Sequence, residues 1–267
     1  MINSIPILMY HNIVEQEIPN APDWITIALL EQQLAYLQKK KYTFITPHLL
    51  LTPHLLPKKP ILITFDDGYE NVYKLAFPIL KEYNINFSLF LIANFLSDET
   101  ITKFNTWDAE KRPKAAHLSK KMIIEMLNSK LLTIGSHSFS HQTFHQLTEK
   151  EINDELMLSK KQLESFFLIP ITYFSYPGGY VGNKKNTFNL LKKHQYTLAF
   201  GGQKDVVENS KWLIKFNIKR INITNESNFT NQKAKLRFEV IIHPLLNKLS
   251  TFNKLNFLIH FLLPFYK

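Results

Sequence analysis

Apolar positions recur along this chain in two alternating rhythms. Short unbroken apolar runs, IPILMY (5–10), YTFIT (42–46), PILITF (60–65), NFSLFLI (86–92), LLTIGS (131–136), ITYFSYP (171–177) and YTLAF (196–200), read as strands covered on both faces. WLIKF (212–216) and IKRINIT (218–224) read as two more. Between them lie stretches with apolar residues at helical spacing: 26–40, with Ile27, Leu30, Leu34 and Leu37 on one side; 69–83, kinked at Pro78; 118–130; 147–167; and 184–194. Thr148 stands three residues before Glu151, the spacing of a capping box. Strand alternating with helix implies a parallel sheet covered by helices. Seven or so such units fit an α/β chain closed as a (β/α) barrel better than an open sheet. A barrel puts working residues at the C-terminal strand ends.

Composition narrows the reading. The chain has 267 residues, 45% of them hydrophobic and 13% aromatic, enough for a substantial core. It has no cysteine, so a disulfide or a thiolate metal site is excluded and a metal must use His, Asp or Glu. Lys and Arg outnumber Asp and Glu by 32 to 22, a net charge of +10 that suits an anionic partner: nucleic acid, a phospholipid surface or a phosphorylated carrier. No Lys/Arg-rich recognition helix or RNA-binding signature accompanies that charge, so nucleic acid is not expected as a partner. The first residues lack the basic, apolar and small-residue regions of a secretory leader, and no uncharged apolar run reaches spanning length. The expectation is a cytoplasmic protein.

Glycine is scarce, seven in all, and each follows or closes a predicted strand. Five of them flank three polar clusters. The first is Asp66-Asp67-Gly68 at the end of PILITF. Two adjacent carboxylates after a buried strand repel each other and lose hydration unless a cation or a proton-transfer task compensates. One carboxylate binding a cation with its neighbour kept as a base is one reading; a helix N-cap pair is the other. The second cluster is GSHSFSH, where His137 and His141 are four apart, so that a single helical turn sets both imidazoles on one side. His145 extends the series and reads as an exposed helix or loop residue. The third is FSYPGGY, in which Tyr176 and Tyr180 flank a rigid turn, Pro177-Gly178-Gly179, and are candidates to line a sugar or ring-binding groove. His11 ends the first strand and in a barrel faces the same mouth as Asp66. Two His and one Asp leave open positions on a metal ion, the recipe for hydrolysing an amide or ester.

TFDDG, SHSFSH and FSYPGGY, in this order, resemble the polysaccharide deacetylases, the NodB-homology domain of carbohydrate esterase family 4. The opening PILMYH resembles the branch related to poly-N-acetylglucosamine deacetylases, and RINI (220–223) resembles that branch's last barrel strand. The resemblance implies a distorted (β/α) barrel of about seven parallel strands. It implies a metal-dependent hydrolase that removes N-acetyl groups from an amino-sugar glycan and releases acetate. Asp66 is then the general base, His11 the general acid, and Asp67, His137 and His141 the metal ligands. Zinc is the expected ion; cobalt, nickel and manganese suit the same ligands. Pro177, Gly178, Tyr176 and Tyr180 fall on the groove side, and Trp107, in the unmatched stretch 101–114, on a substrate loop. Many relatives carry an arginine two places before the proline of the third motif, where it orients the base. Here that position is Ser175, a departure that bears on the pKa of Asp66 and on full activity. It also keeps a second reading open: an impaired barrel that binds glycan or metal without turnover.

The resemblance covers the barrel, taken as residues 1–228. The remainder, 229–267, reads as a helical extension with Leu246, Leu249, Phe252, Leu255, Ile259 and Leu262 at helical spacing among Lys248, Lys254 and Lys267. An amphipathic basic helix is suited to an anionic membrane. This adds the expectation of contact at the inner face of a membrane.

Overall fold

The computed structural model describes residues 5–96, 113–202 and 215–225. Trp107, most of WLIKF and the whole 229–267 extension lie outside them. In chain order the regular elements begin with β1 (Ile7–Tyr10), β2 (Ile13–Val14), β3 (Ile25–Thr26), α1 (Ile27–Lys39), β4 (Thr43–Phe44) and β5 (Pro60–Phe65). They continue with α2 (Phe77–Glu82), β6 (Phe87–Leu91), α3 (Lys120–Asn128), β7 (Leu132–Ser136), α4 (Glu149–Phe167), β8 (Tyr173–Ser175), α5 (Lys184–Lys193), β9 (Leu198–Phe200) and β10 (Ile221–Asn222). The main sheet runs β10-β1-β5-β6-β7-β8-β9, all parallel, with β4 added beside β5. Phe200 also bridges Ile218 in parallel, so the residues just before β10 reach back to β9 and complete the circuit of a distorted barrel.

The helix starts follow the sequence closely. Thr26 accepts from Leu29 N at the head of α1, Ser119 from Met122 N at α3, and Thr148 and Glu151 form a reciprocal capping box at α4. The predicted helix over 69–83 is instead broken. Val72–Ala76 forms a wide turn in which Phe77 N reaches Val72 O, and α2 starts only at Phe77. Pro78 has no N–H to give, so it sits in the first turn of α2, where none is required.

Strand parity decides what lies inside. Leu8, Tyr10, Ile61, Ile63, Phe65, Leu89, Ile134, Phe174, Tyr176 and Ala199 share one large core between sheet and helices. Their neighbours Ile7, Leu62, Phe90, Leu198 and Phe200 form a second, smaller cluster within the barrel. Side chains alternate faces along a strand. Continuing the inner parity one step past each strand leads to His11 after β1, Asp66 after β5 and His137 after β7, and on β8 to Ser175. The barrel interior is narrow: a Cβ on Gly135 would stand 2.5 Å from the Phe90 ring and 2.9 Å from Tyr173 O, so glycine is what lets the ring and strand fit there.

Candidate active site

Asp66 and Asp67 diverge because the backbone turns between them. Asp67 has φ +70°, a left-handed conformation that Asp tolerates better than bulkier residues. Gly68 N donates to Asp66 O at 2.9 Å, and Leu118 N donates to Gly68 O at 2.9 Å, bracing the turn from the segment before α3. His117 Nδ1 lies 3.1 Å from Asp67 O. Successive carboxylates therefore face different partners, which answers the repulsion that their adjacency creates.

Asp66, 2% exposed, is gripped by a guanidinium. Arg220 Nη1 donates to Oδ1 at 2.7 Å and Nη2 to Oδ2 at 2.6 Å, a bidentate pair. Nη2 also donates to Ser175 Oγ at 2.8 Å, and that hydroxyl donates to Asp66 Oδ2 at 3.0 Å. Nε and Nη1 are held by Gly201 O and Thr64 Oγ1, and the guanidinium lies 5.5 Å from the Phe90 ring centroid. Burial pushes the Asp66 carboxyl up; the charges of Arg220, His137 and His11 and the Arg220 hydrogen bonds outweigh it and hold it below its ordinary value. Asp66 is thus held by an arginine although Ser175 stands at the third-motif position. The arginine arrives from the residue before β10, and Ser175 has the size that admits it. Arg220 was quoted in the sequence only as part of a strand; nothing in its spacing from Asp66 signals contact across 154 residues.

Asp67 Oδ1 lies 3.3 Å from His137 Nε2 and 3.3 Å from His141 Nε2. One ligand atom from each of the three residues falls within 4.8 Å of the other two. His137 Nδ1 lies 2.9 Å from Ser175 O, which fixes the ring with Nε2 turned to the carboxylates. The HxxxH segment is not the expected helical turn. It is a loop with left-handed Ser138 (φ +67°) and His141 (φ +66°). Glu155 of α4 holds it: Oε2 accepts from Phe139 N at 2.8 Å and Ser140 N at 2.9 Å, and Oε1 accepts from Ser140 Oγ at 2.6 Å. Glu155 went unremarked in the sequence because it looks like one more charge on an amphipathic helix. Non-glycine residues in left-handed conformations at Asp67, Ser138 and His141 cost free energy that surrounding contacts must offset, and such strain gathers at functional sites.

This donor set suits a divalent ion. Asp67 Oδ1 is buried and makes no hydrogen bond, although two imidazole nitrogens stand close by. One carboxylate and two imidazoles with their ligand atoms within 4.8 Å of one another are a set that zinc and its neighbours accept.

The family model described as polysaccharide deacetylase matches residues 55–199. The chain belongs to the polysaccharide deacetylase family. YxkH of Bacillus subtilis (strain 168) is 30% identical over 179 residues, which are 66% of this chain and 57% of that protein. A poly-beta-1,6-N-acetyl-D-glucosamine N-deacetylase of Staphylococcus epidermidis is 23% identical over 210 residues, 74% of this chain and 63% of that one. The chain thus spans less than two thirds of either curated relative. Among solved structures, IcaB from Ammonifex degensii is similar at 26% identity and TM-score 0.70, covering 84% of this chain and 94% of that one. The Streptococcus pyogenes deacetylase PplD shares the fold, with TM-score 0.72 at 22% identity over 90% of this chain and 99% of that one.

The matched stretch holds Asp66, Asp67, His137, His141 and the PGGY turn of this deacetylase-family chain. His11 and Arg220 lie outside it. His11 sits beside Asp66 because β1 and β5 pair Tyr10 with Phe65 and Asp66 N donates to Tyr10 O at 2.9 Å. Its Nδ1 is 3.5 Å from Asp23 Oδ2, a carboxylate the sequence reading passed over. Tyr180 is exposed, and Gly178, two residues before it, has φ +61°. Tyr176 is a correction. It is fully buried, packs edge-on to Phe144 and Phe174, and donates its hydroxyl to Phe216 O at 2.7 Å. Parity explains this: Tyr176 continues the helix-facing side of Phe174. Pro177 is buried with it. His145 is exposed, as expected.

Proposed function

We propose that this chain is a metal-dependent hydrolase that removes N-acetyl groups from an amino-sugar glycan and releases acetate. The observation that carries the reading is the pairing of two differently held carboxylates at one strand end. Asp66 is kept ionised by Arg220 while Asp67 faces two imidazoles. Asp67, His137 and His141 would hold the ion, which when bound polarises the amide carbonyl and lowers the pKa of water. Asp66 accepts a proton from the attacking water as the new C–O bond forms. His11, whose Nδ1 lies 3.5 Å from Asp23 Oδ2, gives a proton to the amine as the C–N bond breaks. Acetate and a free amino sugar result. The Staphylococcus epidermidis relative favours β-1,6-linked N-acetylglucosamine as the glycan, and zinc is the first choice of ion.

The test is release of free amines from β-1,6-linked N-acetylglucosamine oligomers with zinc, cobalt, nickel or manganese added singly. Release should stop with chelator and fall by orders of magnitude in Asp66→Asn and His11→Ala. Undiminished release from Asp66→Asn would remove that residue from the base role.

A further inference from the structure

In SHSFSH every second residue is a serine, and the chemistry above uses none of them. Ser140 goes to Glu155 of α4. Ser136 and Ser138 turn inward and are fully buried. Ser138 Oγ accepts from His141 N at 3.0 Å, so it holds the backbone of the second histidine. Ser136 Oγ accepts from Ser138 N at 3.2 Å, so it spans the first.

These contacts continue beyond the loop. Ser136 Oγ donates to Ser159 Oγ of α4 at 2.8 Å, and Ser159 Oγ donates to Leu156 O at 3.2 Å. Tyr196, just before β9, donates its hydroxyl to the same carbonyl at 3.2 Å and stands 3.4 Å from Ser159 Oγ. The Tyr196 ring is pinned in turn. It meets Phe174 edge-on at 5.4 Å between centroids, and Lys160 Nζ lies 5.1 Å from its own centroid. One buried line of hydrogen bonds thus runs from the ligand loop through α4 to the start of β9. Ser159 stands one turn beyond Glu155, so α4 grips the loop and the strand leading into it from one face.

The line crosses apolar ground: Ile134, Leu156, Leu163 and Phe174 all belong to the large core. A buried hydroxyl loses hydration, and alanine or phenylalanine would fill the same space without that loss. The hydroxyls of Ser136, Ser159 and Tyr196 each have an acceptor, and what they reach is the backbone between two candidate ligands. We infer that Ser136, Ser159 and Tyr196 are positioning residues that set the affinity of the Asp67, His137 and His141 site for its ion, an assignment that rests on reading that trio as a metal site. A ligand loop with left-handed residues at Ser138 and His141 has to be held in place from outside, and this line is a hold on its inner side.

The test uses the full-length protein and zinc alone. Ser159→Ala should weaken zinc binding roughly tenfold, the lower end of what partners behind a ligand are worth, and Tyr196→Phe should weaken it by less. Ser136→Ala combined with Ser159→Ala should bind zinc no more weakly than the poorer of the two single variants, because both interrupt one line. Leu163→Ala, on the same helix and fully buried, separates positioning from loss of packing: it should lower the urea midpoint and leave zinc affinity as in wild type. Zinc affinity unchanged in Ser159→Ala, or lowered as much by Leu163→Ala, overturns the assignment. Amide hydrogen exchange at Ser138 and His141 in metal-free protein gives a readout that needs no ion, and it should quicken in Ser159→Ala. A wild type that takes up no zinc fells the metal reading, and exchange then decides: quickened exchange keeps the three residues as holders of the loop, and unchanged exchange refutes them.

Discussion

Arg220 offers the sharpest test of how the site is built. Replacing it with Met keeps the stem length and removes the guanidinium. Asp66 would then be a buried carboxylate, 2% exposed, with only the Ser175 hydroxyl still donating to it among the contacts described here. Breaking a buried ion pair from one side costs about 3–5 kcal/mol. A chain of this size loses roughly 2–4 °C of melting temperature per kcal/mol, so a drop of roughly 6–20 °C is expected. The carboxyl also loses the charge that holds it down. With burial now unopposed by Arg220, the Asp66 carboxyl rises, and the acid limb of the kcat/KM profile moves to higher pH. The sign for stability follows. A carboxyl held below its unfolded value stabilises the fold above that unfolded value and loses the effect as pH falls through the folded one. Wild type should therefore gain stability over Arg220→Met most strongly at neutral pH and least in acid. Arg220→Lys should not restore the pattern, because an ammonium cannot grip both oxygens. The decisive measurement is a double-mutant cycle of Arg220→Met with Asp66→Asn by urea unfolding. A coupling energy under about 0.5 kcal/mol would refute the claim that the two side chains act as a pair.

Three other outcomes follow from neighbouring contacts. Glu155→Ala frees the loop that carries His141, and zinc affinity measured by competition with a chelating dye should fall about 10–100-fold while α4 remains folded by circular dichroism; unchanged affinity would show that the loop holds itself. Gly135→Ala puts a Cβ against the Phe90 ring and Tyr173 O, and urea unfolding should register a loss of about 1–3 kcal/mol. Burial raises the Tyr196 hydroxyl to about 12, so its share of stability is complete below pH 10 or so and is lost between there and about pH 12. Tyr196→Phe should flatten the alkaline fall in stability, and an unaltered fall would mean that the group titrates normally.

Much of the framework is written locally. Runs such as PILITF bury every residue because both faces of a parallel strand are covered, and a continuous apolar stretch has no other use in a chain with strand–helix alternation. Capping at Thr26, Ser119 and Thr148 depends on residues three apart, so it is visible in one window of sequence. Asp66, Asp67, His137 and His141 stand out for a related reason: polar clusters directly after buried strands are costly unless they work together. Tyr176 escaped because its role turns on parity, and parity is set by which neighbour faces the barrel, not by the aromatic pattern around it.

By itself, then, the order of residues determined strands, helix starts, the barrel class and the charged residues at its mouth, since each of these follows from interactions among neighbours in the chain. Tertiary structure alone decided which arginine serves Asp66, that Glu155 rather than a helical turn shapes the HxxxH loop, and that Asp23 stands behind His11. Those contacts join residues from 12 to 154 positions apart. Distance along the chain carries no record of them; they exist because barrel closure brings β10 beside β1 and lays α4 under the loop after β7.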